Sequence, residues 1–259
     1  MSDCSRRLFD NQYILAPTSE SVDILAIGAH PDDIELGCGG LLIKAAREGH
    51  NVYLYTVTKG AVSGDPHERT EESKKAAQFI GAKGIWVDNF PDSRLRVSSE
   101  LINHIEARID WVNPDVIFTH FAEDVHHDHR AIATATLEAG RFNSNIFAYE
   151  IPLTRNFEPK VYFDVTDVID DKVELINIFW SQRTKLYLKS NAIKGLAEFR
   201  ALQSRLNGEV NYVEAFDVAK LCLDNEFRLR KVHPEKPGVK LDEDEVQEEL
   251  MHVLHGQLS

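Results

Sequence analysis

Cysteine is scarce in this sequence, whose 259 residues contain only Cys4, Cys38 and Cys222. A disulfide framework or a zinc site made of cysteine ligands requires more cysteines at closer spacing. The chain must instead be stabilised by an ordinary core, for which its 43% of apolar residues is sufficient. This cysteine usage is typical of a reducing compartment, so we expect a cytoplasmic protein.

Long apolar segments and an excess of positive charge are missing as well. No stretch is long enough to span a bilayer, and residues 1–21 lack the apolar segment of a signal peptide. The 29 Lys and Arg against 42 Asp and Glu give a formal net charge of −13. Although solubility is the simplest reason for such a charge, it also repels phosphate backbones and anionic lipids. We therefore expect neither nucleic acid nor membrane partners.

Apolar strand-like segments alternate with helical patterns through the first 150 residues. The predicted strands are Ile24–Ile27, Asn51–Thr58, Gly84–Phe90, Asp115–Phe121 and Ile146–Ile151. The predicted helices between them are Leu41–Arg47, Glu68–Ile80, Ser99–Val112 and Arg130–Arg141. Because this alternation is typical of βαβ units, the sequence predicts a Rossmann-like, doubly wound α/β sheet, mostly parallel, with helices on both faces.

The C-terminal part predicts additional strands and helices. These are a strand at Lys160–Val165, a long helical region at Asp167–Leu188, a helix at Gly195–Asn207 and a segment returning to the sheet at Asn211–Ala219. Residues 235–259 form an acidic tail, in which Leu241–Glu249 favours a surface helix or partial disorder. We expect a single domain whose core covers about residues 22–220.

Polar side chains follow the first predicted strand directly, in the sequence GAHPDD at residues 28–33. In open α/β sheets, loops at the carboxyl ends of strands bind ligands. A His beside two carboxylates is costly there unless a cation or substrate uses them. The spacing lets His30 and Asp33 face one metal ion while Asp32 faces a neighbouring water. The glycines that follow, Gly37–Gly40, lack the G-x-G-x-x-G spacing and do not indicate a dinucleotide site.

A second polar cluster, EDVHHDHR at residues 123–130, follows the fourth predicted strand. The first and fourth strands are the expected neighbours at the point where a doubly wound sheet diverges. Together the two clusters can offer zinc two imidazole nitrogens and one carboxylate, leaving a position for water. That number of ligands is typical of a catalytic zinc site rather than a structural one.

The two clusters also resemble a known family. Residues 29–35, AHPDDIE, are similar to the A-H-P-D-D-x-E signature of the LmbE/PIG-L superfamily of zinc-dependent N-deacetylases, and HHDH at residues 126–129 matches its H-x-D-H motif. The resemblance covers about residues 22–149 and is weaker over 160–216. It implies a zinc hydrolase that removes an N-acetyl group from an amino sugar or its conjugate. Relatives often assemble as trimers or hexamers, so the resemblance also implies a homo-oligomer.

Carried over residue by residue, the resemblance implies three zinc ligands, namely His30, Asp33 and His129. Asp32 would be the general base, and His126 would stabilise the oxyanion formed from the amide. Asp128 would orient or charge His126. These roles suit the chemistry, because zinc lowers the pKa of a bound water to about 7 and a nearby carboxylate can accept its proton. A cationic imidazole stabilises a developing oxyanion.

Two more residues are candidates for substrate binding. Arg69, in an R-x-x-E helix start like that of the family, could reach a substrate oxygen or pair with Asp33, Asp128 or Glu72. Asp92 could hold a sugar hydroxyl, although Pro-Asp-Ser is also an ordinary turn. Supporting or structural roles are expected for Glu35, Cys38, His120 and His127.

Three other functions stay open on the residues alone. They are an amidase acting on a thiol conjugate or another acylated amine, a phosphoester hydrolase using Mg²⁺ or Mn²⁺, and a sugar-binding protein without activity. Imidazole ligands favour zinc over magnesium. Binding alone needs neither Asp32 nor His126, so their presence favours catalysis. We expect the substrate to be selected by the loops after the second and third strands and by the region after Ile151.

Overall fold

The computed structural model describes residues 21–143 and 145–223. Seven strands form one sheet: β1 Asp23–Gly28, β2 Asn51–Thr56, β3 Gly84–Val87, β4 Val116–His120, β5 Ile146–Tyr149, β6 Val161–Asp164 and β7 Val213–Lys220. The helices are α1 Asp33–Arg47, α2 Pro66–Ile80, α3 Ser99–Val112, α4 His127–Ala139, α5 Ile169–Asn177 and α6 Ser190–Ser204. The predictions for the N-terminal arm and the acidic tail lie outside the described residues.

The sheet has the strand order β3-β2-β1-β4-β5-β7-β6. Strands β1 to β5 are parallel, and β7 is antiparallel to both of its neighbours. This order confirms the predicted doubly wound, mostly parallel sheet with additional C-terminal strands. Within the described ranges, none of the helices combines the length and the apolar character needed to cross a membrane.

Two apolar cores lie on opposite faces of the sheet. Successive residues of β1 alternate between them, with Ile24 and Ala26 in one core and Leu25 and Ile27 in the other. Helices α1, α2, α5 and α6 cover the first face, and α3 and α4 cover the second. Both faces of β1 are therefore buried, which explains its continuous apolar sequence.

The glycine-rich segment Gly37–Gly40 belongs to α1, so the predicted start of this helix at Leu41 is wrong. Helix α1 begins at Asp33, and its one non-helical residue is Cys38, with φ of −140°. A Cβ on Gly37 would lie 2.2 Å from Cδ2 of Tyr149, and one on Gly40 would lie 2.8 Å from Cγ1 of Val165. These glycines are needed because the helix packs closely on its neighbours, a requirement that the local sequence does not reveal.

The break in α1 exposes backbone N–H groups that a side chain of β7 caps. The Glu214 carboxylate accepts hydrogen bonds from the N–H groups of Gly40 and Leu41 at 2.8 and 2.7 Å. The buried Lys172 donates to Glu214 Oε1 at 2.6 Å and to the Leu36 carbonyl at 2.7 Å. An ion pair from the C-terminal half therefore fixes the helix that follows the first polar cluster.

We expect Glu214→Ala to lower the free energy of unfolding by about 3–5 kcal/mol, because it leaves the Lys172 ammonium buried without its counter-ion. Urea unfolding followed by circular dichroism measures this loss. The matched control is Asp170→Ala, which removes the exposed ion pair with Lys194 and should leave the free energy of unfolding nearly unchanged, because exposed ion pairs contribute little. Equal losses in the two variants would contradict this role of Glu214.

The predicted helical region Asp167–Leu188 is wrong in its second half. Helix α5 ends at Asn177, and two short 3₁₀ turns follow at Trp180–Gln182 and Leu186–Leu188. Both the N–H and the hydroxyl of Ser181 donate to the Glu72 carboxylate of α2, at 2.8 and 2.6 Å. The segment after α5 is thus bonded to α2 instead of continuing α5.

Candidate active site

The two polar clusters meet because β1 and β4 are paired in parallel. The loop after β1 leads directly into α1, and the loop after β4 leads into α4. Helix α4 begins at His127 rather than at the predicted Arg130. This earlier start places Asp128 and His129 in its first turn, facing the loop after β1. The Nδ1 atom of His126 accepts a hydrogen bond from the Asp128 N–H at 3.2 Å and so caps the helix.

Three buried side chains, those of His30, Asp33 and His129, form a group whose potential ligand atoms all lie within 4.8 Å of one another. Asp33 Oδ2 lies 3.2 Å from His30 Nδ1 and 3.4 Å from His129 Nε2. Zinc bonds of about 2.0–2.2 Å in a tetrahedron place ligand atoms about 3.4 Å apart. The donor set and its spacing therefore fit a zinc ion with a position left for a fourth ligand.

A second group of potential ligands shares His30 and adds His126 and Asp128. His126 is partly exposed, whereas every member of the first group is buried. Asp128 is already bonded by two backbone N–H groups, those of Ser93 at 2.8 Å and Leu95 at 3.0 Å. The first group is thus the better candidate for a metal centre.

The charges of the first group are interdependent. Burial alone would raise the pKa of Asp33, but the imidazoles of His129, His120 and His30 hold it well below its usual range. Burial alone would lower the pKa of His129, yet Asp33 and a further carboxylate, Asp124, raise it to about 9. The ionised Asp33 thus favours a positive charge on His129, and a divalent cation would provide such a charge in its place.

Asp32 lies beside this group but contacts different partners. Its φ of +102° lies in the left-handed region, where Asp and Asn are tolerated better than most residues. Its Oδ2 lies 3.3 Å from Nη2 of Arg69 and 4.0 Å from Nζ of Lys185. Burial and the charge of Asp33 raise the pKa of Asp32 to about 6, against the opposing cations. A carboxyl with a pKa near neutrality can both take up and return a proton.

Arg69 is buried and joins the loops after β1 and β2. Its Nη1 donates to the Gly60 carbonyl at 2.9 Å and to Ser63 Oγ at 2.7 Å, and its Nη2 donates to the Pro31 carbonyl at 2.6 Å. Gly60 has φ of +65°, and a Cβ there would lie 1.9 Å from Nη1. The carboxylate partner of Arg69 is Asp32, not one of those that the sequence suggested, which were Asp33, Asp128 and Glu72.

The Asp128 carboxylate contacts His30 Nε2 at 3.0 Å and His127 Nε2 at 3.0 Å. The expected orienting contact between Asp128 and His126 is made by the backbone, since it is the Asp128 N–H that bonds to the His126 ring. Burial and the positive charges of His129 and His30 lower the pKa of His126, and the charge of Asp128 opposes this shift. Asp128 therefore acts on His126 through its backbone and its charge.

Asp92 lies against the same imidazole. Its Oδ1 is 3.2 Å from His30 Nε2, and its Oδ2 accepts from the Val62 N–H at 2.7 Å. Although burial alone would raise the pKa of Asp92, its hydrogen bonds with His30 and the Val62 N–H lower it. The turn after β3 is therefore part of the wall of the site.

The supporting histidine, His120, is buried at the end of β4. Its Nε2 accepts from the Ala29 N–H at 3.0 Å, and its ring stacks on that of His129 with 3.9 Å between centroids. Burial and the positive charge of His129 lower the pKa of His120 to about 4. Burial raises the pKa of Glu35 to about 8. Both side chains are therefore uncharged at neutral pH, and both are buried.

A cavity of about 600 Å³ opens onto these groups. Its wall contains residues from the three regions expected to select the substrate: the loop after β2, the turn after β3 and Ile151–Arg155. It also contains Lys185 and Tyr187, which lie near the second 3₁₀ turn and for which the sequence carries no motif. Asp124 belongs to the second polar cluster, but its position beside His129 was not predicted.

Comparisons with known proteins agree with the motifs. The profile of the PIG-L family, described as GlcNAc-PI de-N-acetylase, matches residues 25–140. An uncharacterized deacetylase, YaiS, from Escherichia coli is 35% identical over 162 residues, which cover 60% of this chain and 88% of that protein. Diacetylchitobiose deacetylase from Thermococcus kodakarensis is 26% identical over 194 residues, covering 64% and 72%.

A solved structure shows the same fold. N,N'-diacetylchitobiose deacetylase from Pyrococcus horikoshii superposes with a TM-score of 0.67 at 22% identity, covering 76% of this chain and 83% of the other. At this identity the likeness concerns the fold alone.

Proposed function

The chain belongs to the PIG-L family of deacetylases, which hydrolyse amide bonds, and from this premise we propose that it is a zinc-dependent N-deacetylase of acetylated amino sugars or their conjugates. The observation that carries this proposal is the approach of His30, Asp33 and His129 to one another at the cavity. Beside them lies the carboxyl group of Asp32, which is not part of the potential ligand set. A site that only bound sugar would not need a buried carboxyl with a pKa near 6 next to a metal-ligand set.

In this proposal, zinc held by His30, Asp33 and His129 would polarise the amide carbonyl and acidify the attacking water. Asp32 accepts the proton of that water as its oxygen bonds to the carbonyl carbon. When the C–N bond breaks, Asp32 returns the proton to the departing nitrogen, so that acetic acid and a free amine leave, and the acid then ionises to acetate. Arg69 holds the Asp32 carboxyl in place during both transfers.

His126 stabilises the oxyanion as a neutral donor rather than as the cation expected from the sequence. Its Nδ1 accepts the Asp128 N–H, so the proton of the neutral ring is on Nε2. Its pKa is lowered by burial and by the neighbouring positive charges. A fixed N–H at the edge of the cavity stabilises charge that develops on the carbonyl oxygen.

The cavity volume of about 600 Å³ lies within the usual range for small-molecule sites and exceeds the needs of an acetyl group. Asp92 is the better candidate to bind a sugar hydroxyl, because its carboxylate lines the wall beside His30. The terminal nitrogens of Arg69 already have protein acceptors, so we assign Arg69 to support of Asp32. The cytoplasmic location and the homo-oligomer stay predictions.

Acetate release tests the proposal. The zinc-loaded protein should release acetate from N-acetylglucosamine glycosides or from N,N'-diacetylchitobiose, lose this activity after chelation and regain it with zinc. Parallel assays with acylated thiol conjugates and with p-nitrophenyl phosphate plus Mg²⁺ or Mn²⁺ address the other enzymatic functions. Hydrolysis of the phosphate ester without acetate release from any acetylated sugar would overturn the proposal.

A further inference from the structure

Asp124 is a buried carboxylate with three polar contacts. Its Oδ1 lies 3.2 Å from His129 Nδ1 and accepts from the His126 N–H at 2.8 Å. Its Oδ2 accepts from the Thr154 hydroxyl at 2.6 Å. The side chain is only 4% exposed, so these contacts replace the water that the charge has lost. No part of the proposed reaction uses this residue.

The contact with His129 determines which ring nitrogen is available to a metal. An ionised carboxylate only accepts hydrogen bonds, so the proton between Asp124 and His129 belongs to Nδ1. The other nitrogen, Nε2, then carries the free lone pair, and it lies 3.4 Å from Asp33 Oδ2. Carboxylates commonly fix metal-binding histidines in this way and raise their basicity.

We infer that Asp124 is a positioning residue that fixes the ring orientation and the tautomer of His129 and thereby sets the affinity of the metal site. This inference rests on the proposed function, because it takes His129 as a metal ligand. Asp124 also connects that ligand to the wall of the cavity, since Thr154 belongs to the segment Ile151–Arg155. The Thr154 oxygen in turn accepts from the Ile151 N–H at 3.1 Å.

A purely local role would be a turn, because Asp124 Oδ1 bonds to the N–H two residues ahead. Loss of a turn lowers stability but leaves the nitrogen of a correctly folded His129 free to bind metal. Metal affinity and the ring tautomer therefore separate the two roles, whereas thermal stability alone does not.

The test measures zinc affinity by competition with a chromogenic chelator. We expect Asp124→Ala to raise the zinc Kd by about 100-fold and Asp124→Asn by about 10-fold, since Asn keeps an acceptor but not the charge. Glu123→Gln is the matched control, because it removes the same charge from an exposed neighbour and should leave the Kd unchanged. Zinc binding by Asp124→Ala as tight as in the wild type would overturn the inference.

Two further measurements separate the contact between Asp124 and His129 from the other contacts of Asp124. Thr154→Val removes the bond to Asp124 Oδ2 and the acceptor of the Ile151 N–H, but leaves the contact between Asp124 and His129 in place. It should change the zinc Kd by less than about 3-fold, well below the range for a lost ligand partner. If Thr154→Val weakened zinc binding as much as Asp124→Ala, the effect would belong to the segment Ile151–Arg155, and the inference would be overturned. Nitrogen-15 spectra should show the His129 proton on Nδ1 in the zinc-loaded wild type. Failure of the wild type itself to bind zinc would refute the proposed function, which is a different outcome.

Discussion

Asp32→Asn should retain its zinc and lower kcat by about 10²–10⁴-fold, the usual contribution of a general base. Asn has nearly the same shape and tolerates the left-handed backbone at this position, so the protein should fold normally. The amide cannot take a proton from water at neutral pH, and this is the function that the variant removes. Steady-state acetate release together with metal analysis of the same preparation measures both quantities.

The neighbouring carboxylate provides the control. Asp33→Asn removes the same charge one residue along the chain, but Asp33 Oδ2 lies 3.2 and 3.4 Å from imidazole nitrogens of His30 and His129. This variant should lose zinc as well as activity. If Asp32→Asn kept full turnover, the base would have to be a different residue. If both variants kept their zinc, the ligand assignment of Asp33 would be wrong.

His129→Ala should weaken zinc binding by more than about 100-fold, beyond the loss expected for a residue that only supports a ligand. Activity should fall together with zinc binding, because only two of the three protein ligands typical of a catalytic zinc site would be left. Metal content after dialysis and titration calorimetry with zinc measure the change. Partial recovery of acetate release at high zinc concentration would support a ligand role for this side chain.

His127→Ala is the matched control for this variant. His127 lies in the same helical turn, but its side chain is 50% exposed and contacts Asp128 rather than Asp33. We expect His127→Ala to keep its zinc. A full complement of zinc in His129→Ala, or a comparable loss in His127→Ala, would place the metal elsewhere among the histidines.

The sequence alone determined the class of fold and identified the two polar clusters that form the candidate site. Burial of both faces of a strand produces a continuous apolar run, as in Ile24–Ile27, and a helix produces a period of 3.6 residues. These are local properties, so they can be identified without knowing what each element packs against. The motifs around His30 and His129 were recognisable for a related reason, because the family signatures that they resemble consist of particular side chains at fixed spacing.

Only the tertiary structure decided which side chains are partners. Arg69 is bonded to Asp32, Asp124 to His129 and Glu214 to the broken helix α1. Lys185 reaches the site from a segment that local pattern assigned to a helix. Except for Asp124 and His129, which lie five residues apart, each of these contacts joins residues that are distant in the sequence, and its energy depends on how their elements pack. A charged residue in the sequence looks the same whether its partner is water or a buried carboxylate, so the pattern cannot identify that partner.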